Sequence, residues 1–84
     1  MDVCVGGTVR AGATSITFTN PRPEPCTITG CKIPGWPPNP PTVPAAQGGT
    51  PGKLVIQLAE RGPSGTYPYS VSCCPDAHPV IKLE

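Results

Sequence analysis

The chain has 84 residues and a net charge of +1, a length typical of one small domain that covers residues 1–84. Charged residues make up only 13% of it and aromatic residues 5%, so we expect no nucleic-acid binding. No apolar run approaches the ~18 residues that a membrane-spanning helix needs, so we expect no membrane insertion.

The 14 prolines and 10 glycines exclude long helices, because proline breaks helix interiors and the inner ladders of sheets. Short runs with alternating apolar residues, separated by turn residues, predict β-strands instead. In chain order, the predicted strands are residues 3–10, 15–20, 26–31, 53–59, 66–73 and 79–83, with a short edge strand at 42–43. This pattern predicts an all-β fold, a small antiparallel β-sandwich or barrel.

The faces of these strands can be predicted from the alternation. In the third strand Cys26 and Ile28 share a face that we expect to point inward, whereas the threonines point outward. In the fifth strand one face is shared by Tyr67, Tyr69, Val71 and Cys73. Because adjacent residues of a strand point to opposite faces, Cys73 and Cys74 are not expected to bind one metal together.

A long proline-rich loop runs from Lys32 to Gly52 and allows only extended or polyproline structure over much of its length. A loop of this length in a compact domain has to pack on something. Trp36 is the predicted anchor that attaches the loop to the core. One hypothesis is that the chain is a repeat unit of a larger surface protein. The same loop is then the surface for a protein partner, since such segments lose little entropy on binding.

Five cysteines in so short a chain favour an oxidising compartment, either the periplasm or the extracellular space. An odd count leaves one cysteine without a partner inside the chain, although we expect a monomer. No signal peptide is seen, and we interpret Met1 as a replacement start. We interpret Leu83-Glu84 as the remnant of a purification tag.

Two segments resemble signatures of the cupredoxin family. The first ends at Asn20 and leads to Cys26, where cupredoxins have a strand ending in asparagine and then a ligand histidine. The second is the Gly-Thr-Tyr-Pro-Tyr strand that begins at Gly65 and leads to Cys73 and His78, similar to the strand that delivers a cysteine and a histidine. The resemblance implies a Greek-key β-sandwich with a copper site at one end.

The cupredoxin ligand set is incomplete in this chain. Cys26 stands where the family has a histidine, His78 is the one histidine, and Met1 is the one methionine. The axial methionine of the family would fall near Lys82. A plane with two histidines cannot form, so we expect the blue-copper site to be lost and no cofactor to be held there.

The cupredoxin resemblance implies that Cys26 and Cys73 lie on neighbouring strands, and this pair admits three interpretations. They form a disulfide that strengthens a small core, they are two buried thiols, or they bind copper or zinc together with His78. For Cys4 the possible partners are Cys31 and Cys74, and Cys4 is also a candidate for the unpaired cysteine.

No paired acids, phosphate-binding loop or oxyanion hole is recognisable, so we do not expect an enzyme. We predict an exported, non-catalytic binding or structural module of cupredoxin-like fold that has lost blue copper. The partner protein is not identified by the sequence. The alternative is a metal-binding protein that uses Cys26, Cys73 and His78 for copper or zinc.

Overall fold

The computed structural model of the protein describes residues 1–58 and 63–84. Over these residues the chain is all-β, with eight short strands and no helix. Accordingly, no helix in the described ranges is long and apolar enough to cross a membrane. The strands are β1 (Gly6–Val9), β2 (Ser15–Asn20), β3 (Cys26–Thr29), β4 (Thr42–Val43), β5 (Gly52–Gln57), β6 (Gly65–Pro68), β7 (Ser70–Val71) and β8 (Val80–Leu83).

The strands lie where the alternation predicts them. β2 and β4 have the predicted bounds, and most of the others are shorter. The third strand ends at Thr29 because Gly30 has a φ of 77°, outside the β region. The fifth is divided into β6 and β7 at Tyr69, next to Pro68, which cannot donate a ladder hydrogen bond. Of the predicted strand 53–59 and the turn that follows it, residues 59–62 lie outside the described residues.

Three small sheets form the fold. β2 pairs with β5, β3 lies between β4 and β7, and β8 lies between β1 and β6. All strand pairs are antiparallel except β1 with β8, which are parallel. The expectation of a purely antiparallel sandwich was therefore wrong for this pair. The cause is at the N-terminus: Asp2 bridges to Thr19 of β2, and the chain then turns and continues beside β8.

The core lies between the β2–β5 pair and the other strands, a packing compatible with a small β-sandwich. The ring of Phe18 in β2 meets the ring of Tyr69 at 6.0 Å in an edge-to-face arrangement. The predicted inward face of β3 is confirmed, because Cys26 and Ile28 are fully buried. The largest fully buried apolar side chains are Phe18, Ile16, Ile28, Ile33, Ile81, Leu83, Val3 and Val43.

Two glycines allow close approaches that the strand pattern does not reveal. Gly6 has a φ of 78°, and a Cβ at this position would overlap the carbonyl oxygen of Val80. A Cβ on Gly52 would overlap the carbonyl oxygen of Pro44. Both contacts are between backbones, so a side chain at either position would push two strand ends apart.

The proline-rich loop packs on the core, as its length requires. The Trp36 ring meets Phe18 edge-to-face at 6.2 Å, so its predicted role as the anchor is confirmed. Ile33 and Val43, on either side of the prolines, are buried. The Ile28 amide donates to the Pro41 carbonyl, which attaches the end of the loop to β3.

Candidate functional site

The candidate site is a cluster of four cysteines at the ends of β3 and β7. In the β3–β7 ladder, Ile28 pairs with Val71, and the Ser72 amide donates to the Thr27 carbonyl. One further step along this register brings Cys26 opposite Cys73, where cross-strand Cβ atoms are close enough for a disulfide. The two cysteines are bonded, with Cα atoms 5.1 Å apart.

A second disulfide joins Cys4 to Cys74, with Cα atoms 6.2 Å apart. Cys4 lies in a turn between the N-terminal residues and β1, and its amide donates to the Asp2 carboxylate at 2.9 Å. Cys74 lies in the turn after β7, where its amide donates to the Val71 carbonyl. The disulfide therefore links two turns that are 70 residues apart in sequence.

The two disulfides lie against each other. Cys4 Sγ is 3.6 Å from Cys73 Sγ, and Cys73 Sγ is 3.9 Å from Cys74 Sγ. The Sγ atoms of Cys4, Cys73 and Cys74 all lie within 4.8 Å of one another. Cys26 is fully buried, whereas the other three cysteines are partly buried against the core. We call this group of Cys4, Cys26, Cys73 and Cys74 the sulfur cluster.

Of the predicted metal ligands, the structure brings Cys26 and Cys73 together as a disulfide. His78 is exposed and lines an open depression of about 310 Å³ with Gly30 and Val80. Within the described residues, His78 does not join a close group of three or more metal-binding side chains. Sulfur binds a metal as a thiolate, so Cys26 and Cys73 become ligands only after their disulfide is reduced.

Cys31 is the one cysteine outside a disulfide and is half-buried. Burial raises the pKa of its thiol, although a hydrogen bond with the Ile33 backbone opposes the shift. A raised pKa leaves less thiolate at neutral pH, so the geometry favours a poorly reactive thiol.

Polar contacts hold the chain segments around the sulfur cluster. The Asn20 side chain is fully buried and donates to the carbonyls of Glu24 and Pro44 at 2.7 and 3.2 Å, while its oxygen accepts from the Arg22 amide. Cys26 Sγ lies 3.8 Å from the same Glu24 carbonyl. Asn20 thus fixes the turn that leads into β3.

Asp2 joins this turn to the one that carries Cys4. Its Oδ1 accepts from the Cys4 amide at 2.9 Å and from the Arg22 guanidinium at 3.0 Å. Burial alone would raise the pKa of Asp2, but the Cys4 hydrogen bond and the Arg22 charge outweigh burial and lower it. The carboxylate therefore stays ionised near neutral pH.

Sequence reasoning left two partners open for Cys4, and the structure selects Cys74. The prediction that Cys73 and Cys74 point to opposite faces holds for a strand, but β7 ends at Val71. In the turn that follows, their sulfurs approach to 3.9 Å. The signal that could have revealed this is Pro75, since a proline directly after Cys74 favours a turn over a strand end.

Comparisons with protein-family models, with curated proteins and with solved structures find no match for this chain. The cupredoxin resemblance therefore rests on the residues that carry it and stays a prediction. The two disulfides favour an oxidising, extracellular-type environment, because such bonds are rare where cellular thiols keep cysteines reduced.

Proposed function

We propose that this protein is a small, non-catalytic binding module for an oxidising environment outside the cytoplasm. Its cross-linked β-sandwich presents the proline-rich segment of residues 34–41 to a protein partner. The observation that carries the proposal is that this segment is attached to the core at both ends while its middle is exposed.

The attachments are specific. The Trp36 amide donates to the Ile33 carbonyl, and its ring packs on Phe18. At the other end the Pro41 carbonyl accepts from Ile28. Between them, residues 38–40 are exposed. A proline-rich segment held in this way loses little entropy on binding, and grooves lined with aromatic rings are the surfaces that recognise it.

The order of the strands supports a Greek-key sandwich as the scaffold. β2 and β5 form one sheet, whereas β3 with β7 and β6 with β8 belong to the two other sheets. Immunoglobulin-type sandwiches divide their strands in a similar way. Their second and fifth strands lie in one sheet, and their third, sixth and seventh strands lie in the other. The Tyr67 hydroxyl donates to the carbonyl of Pro63, four residues upstream, as in the tyrosine corner of those folds. β4 differs, since it pairs with β3 alone.

The test is a titration of the isotope-labelled protein with purified domains that bind polyproline through aromatic-lined grooves, followed by NMR. We expect shifts confined to Gly35, Trp36 and Asn39, and a loss of affinity of about tenfold or more in a Pro38→Ala, Pro40→Ala variant. Pro23→Ala, at an exposed proline outside the segment, is the control and should leave binding unchanged. Equal weakening by both variants, or an absence of shifts with every domain, would refute the proposal.

A second function is favoured by the sulfur cluster itself. If both disulfides are reduced, four thiols lie together, a ligand set suited to zinc or copper(I). Binding of either ion then depends on reduction and involves Cys4 and Cys74 besides Cys26 and Cys73. Titrations of zinc and copper(I) into the oxidised and the reduced protein decide this. Binding to the reduced protein with a shift of the His78 signals would instead support the ligand set of Cys26, Cys73 and His78.

A further inference from the structure

From the contact between the two disulfides, we propose that the sulfur cluster is a thiol–disulfide exchange site for an external thiol. The external thiolate enters at Cys74, and the exchange then passes to the inner disulfide through attack of Cys4 on Cys73. The inference is independent of the proposed partner-binding function, because it uses none of residues 34–41.

Access and distance set the order of events. Cys26 is fully buried, so an external thiolate cannot approach its side of the inner disulfide. Cys4 and Cys74 are both partly exposed, and attack on Cys74 is the event that sets Cys4 free, so the proposed sequence begins there. Its partner Cys4 is then released as a thiolate, and Cys4 Sγ already lies 3.6 Å from Cys73 Sγ. The released sulfur thus lies in contact with the next disulfide.

The steps balance without a further oxidant or reductant. In the first, the external thiolate bonds to Cys74 Sγ, the Cys4–Cys74 bond breaks and Cys4 leaves as a thiolate. In the second, Cys4 Sγ bonds to Cys73 Sγ, the Cys26–Cys73 bond breaks, and Cys26 leaves and takes a proton from water. One external thiol is consumed, two disulfides become a mixed disulfide on Cys74 and a Cys4–Cys73 bond, and one thiol is formed on Cys26.

The neighbouring Cys74 cannot replace Cys4 in the second step. Cys73 and Cys74 are joined by a peptide bond, and consecutive Cα atoms across a trans peptide are only ~3.8 Å apart. A disulfide usually needs Cα atoms at least ~4.4 Å apart, so a bond between these two residues would be strained. The Cys4 and Cys74 thiols thus lie at similar distances from Cys73, but only Cys4 can form an unstrained bond with it. A variant that frees Cys74 is therefore a matched control for one that frees Cys4.

The experiment compares Cys74→Ser with Cys4→Ser, both in a Cys31→Ser background that removes the remaining thiol. Each folded variant is incubated at about pH 8.5, near the ordinary thiol pKa. Samples are then quenched with acid and alkylated in denaturant, and the labelled cysteines are mapped by mass spectrometry. Cys74→Ser should acquire label on Cys26 as well as Cys4, whereas Cys4→Ser should acquire it on Cys74 alone. We expect Cys26 labelling several-fold higher in Cys74→Ser.

Two results would overturn the proposal. Label on Cys4 alone in Cys74→Ser means that Cys4 does not attack Cys73. Equal Cys26 labelling in both variants means that exchange occurs through the unfolded chain. If either variant fails to fold, the Cys31→Ser protein with one equivalent of glutathione gives the same answer. Glutathione on Cys74 with a Cys26 thiol supports the proposal, and glutathione on Cys74 with a Cys4 thiol and an intact Cys26–Cys73 bond refutes it.

Discussion

The sulfur cluster and the proline-rich segment of residues 34–41 are both outside regular strands, yet they are ordered by different means. In the cluster, two disulfides connect residues 47 and 70 positions apart. The proline-rich segment has no covalent link and depends on the packing of Trp36 and on the hydrogen bond to Pro41. One region is held by bonds that survive unfolding, and the other by contacts that disappear with it.

The difference shows how an 84-residue sandwich distributes its stability. A chain of this size buries too little apolar surface to order every loop by packing, so covalent links are expected where strands end early. β3 and β7 have 4 and 2 residues, and the Cys26–Cys73 disulfide continues their ladder beyond its last backbone pairs. The proline-rich segment needs less support, because its prolines restrict the unfolded chain already.

The largest expected effect comes from removal of the inner disulfide. The double variant Cys26→Ala, Cys73→Ala removes the cross-link between two residues 47 positions apart and leaves a cavity at the fully buried Cys26. We therefore expect a loss of about 4 kcal/mol in the free energy of unfolding. Denaturant unfolding of the purified protein measures it. Cys31→Ala is the control and should cost well under half as much. A similar loss in both variants would contradict the covalent account of this region.

Asn20 lies between the two regions, since its amide donates to the carbonyl of Glu24, two residues before Cys26, and to that of Pro44, three residues after the proline-rich segment. In Asn20→Asp a carboxylate oxygen replaces the donor nitrogen and faces two carbonyls in a buried site. We expect a loss of about 2–3 kcal/mol at neutral pH, since one oxygen of a buried charge would face two carbonyls, whereas the other keeps the Arg22 amide as its donor. Chemical unfolding tests this, with the exposed Asn39→Asp as control. An effect no larger than that of the control would show that Asn20 does not join the regions.

The sequence predicted the strands and their inward faces well, because alternation at Ile16, Phe18, Cys26 and Ile28 follows directly from burial on one side of a sheet. That Cys26 and Cys73 are neighbours was implied by the cupredoxin resemblance, and their chemistry stayed open between three interpretations. The pairing of Cys4 depends on a turn, and turn geometry at single residues is poorly specified by local pattern. The parallel pairing of β1 arises because the chain leaves β2 and joins β8 near Gly6. The alternation of apolar residues does not predict such a change of partner strand.

The packing of Trp36 tests the other side of the comparison. Trp36→Ala removes the ring contact with Phe18, and we expect a loss of about 1–3 kcal/mol because the ring is only partly buried. The mobility of Gly35 and Asn39, measured by NMR relaxation, should rise, while both disulfides remain intact by mass spectrometry. Tyr67→Phe removes one hydroxyl outside the segment and is the control. If the mobility of Asn39 were unchanged in Trp36→Ala, Trp36 would not be the anchor.

The smallest effect concerns Asp2, which supports the turn that carries Cys4. Its pKa is lowered in the folded protein, so its contribution to stability is present above the ordinary pKa of an aspartate and is lost as the pH falls through the folded pKa. Asp2→Asn keeps an oxygen for the Cys4 amide but loses the charge that Arg22 contacts at 3.0 Å. We expect it to cost less than about 1 kcal/mol at pH 7 and nothing near pH 2, as measured by denaturant unfolding at both pH values. Arg22→Gln should reproduce the loss at pH 7, because it removes the other charge of the pair. A variant Asp2→Asn that is equally destabilised at both pH values would mean that the loss does not come from the charge of Asp2. The disulfide would then depend on the shape of this turn, and the ion pair would have no part in holding it.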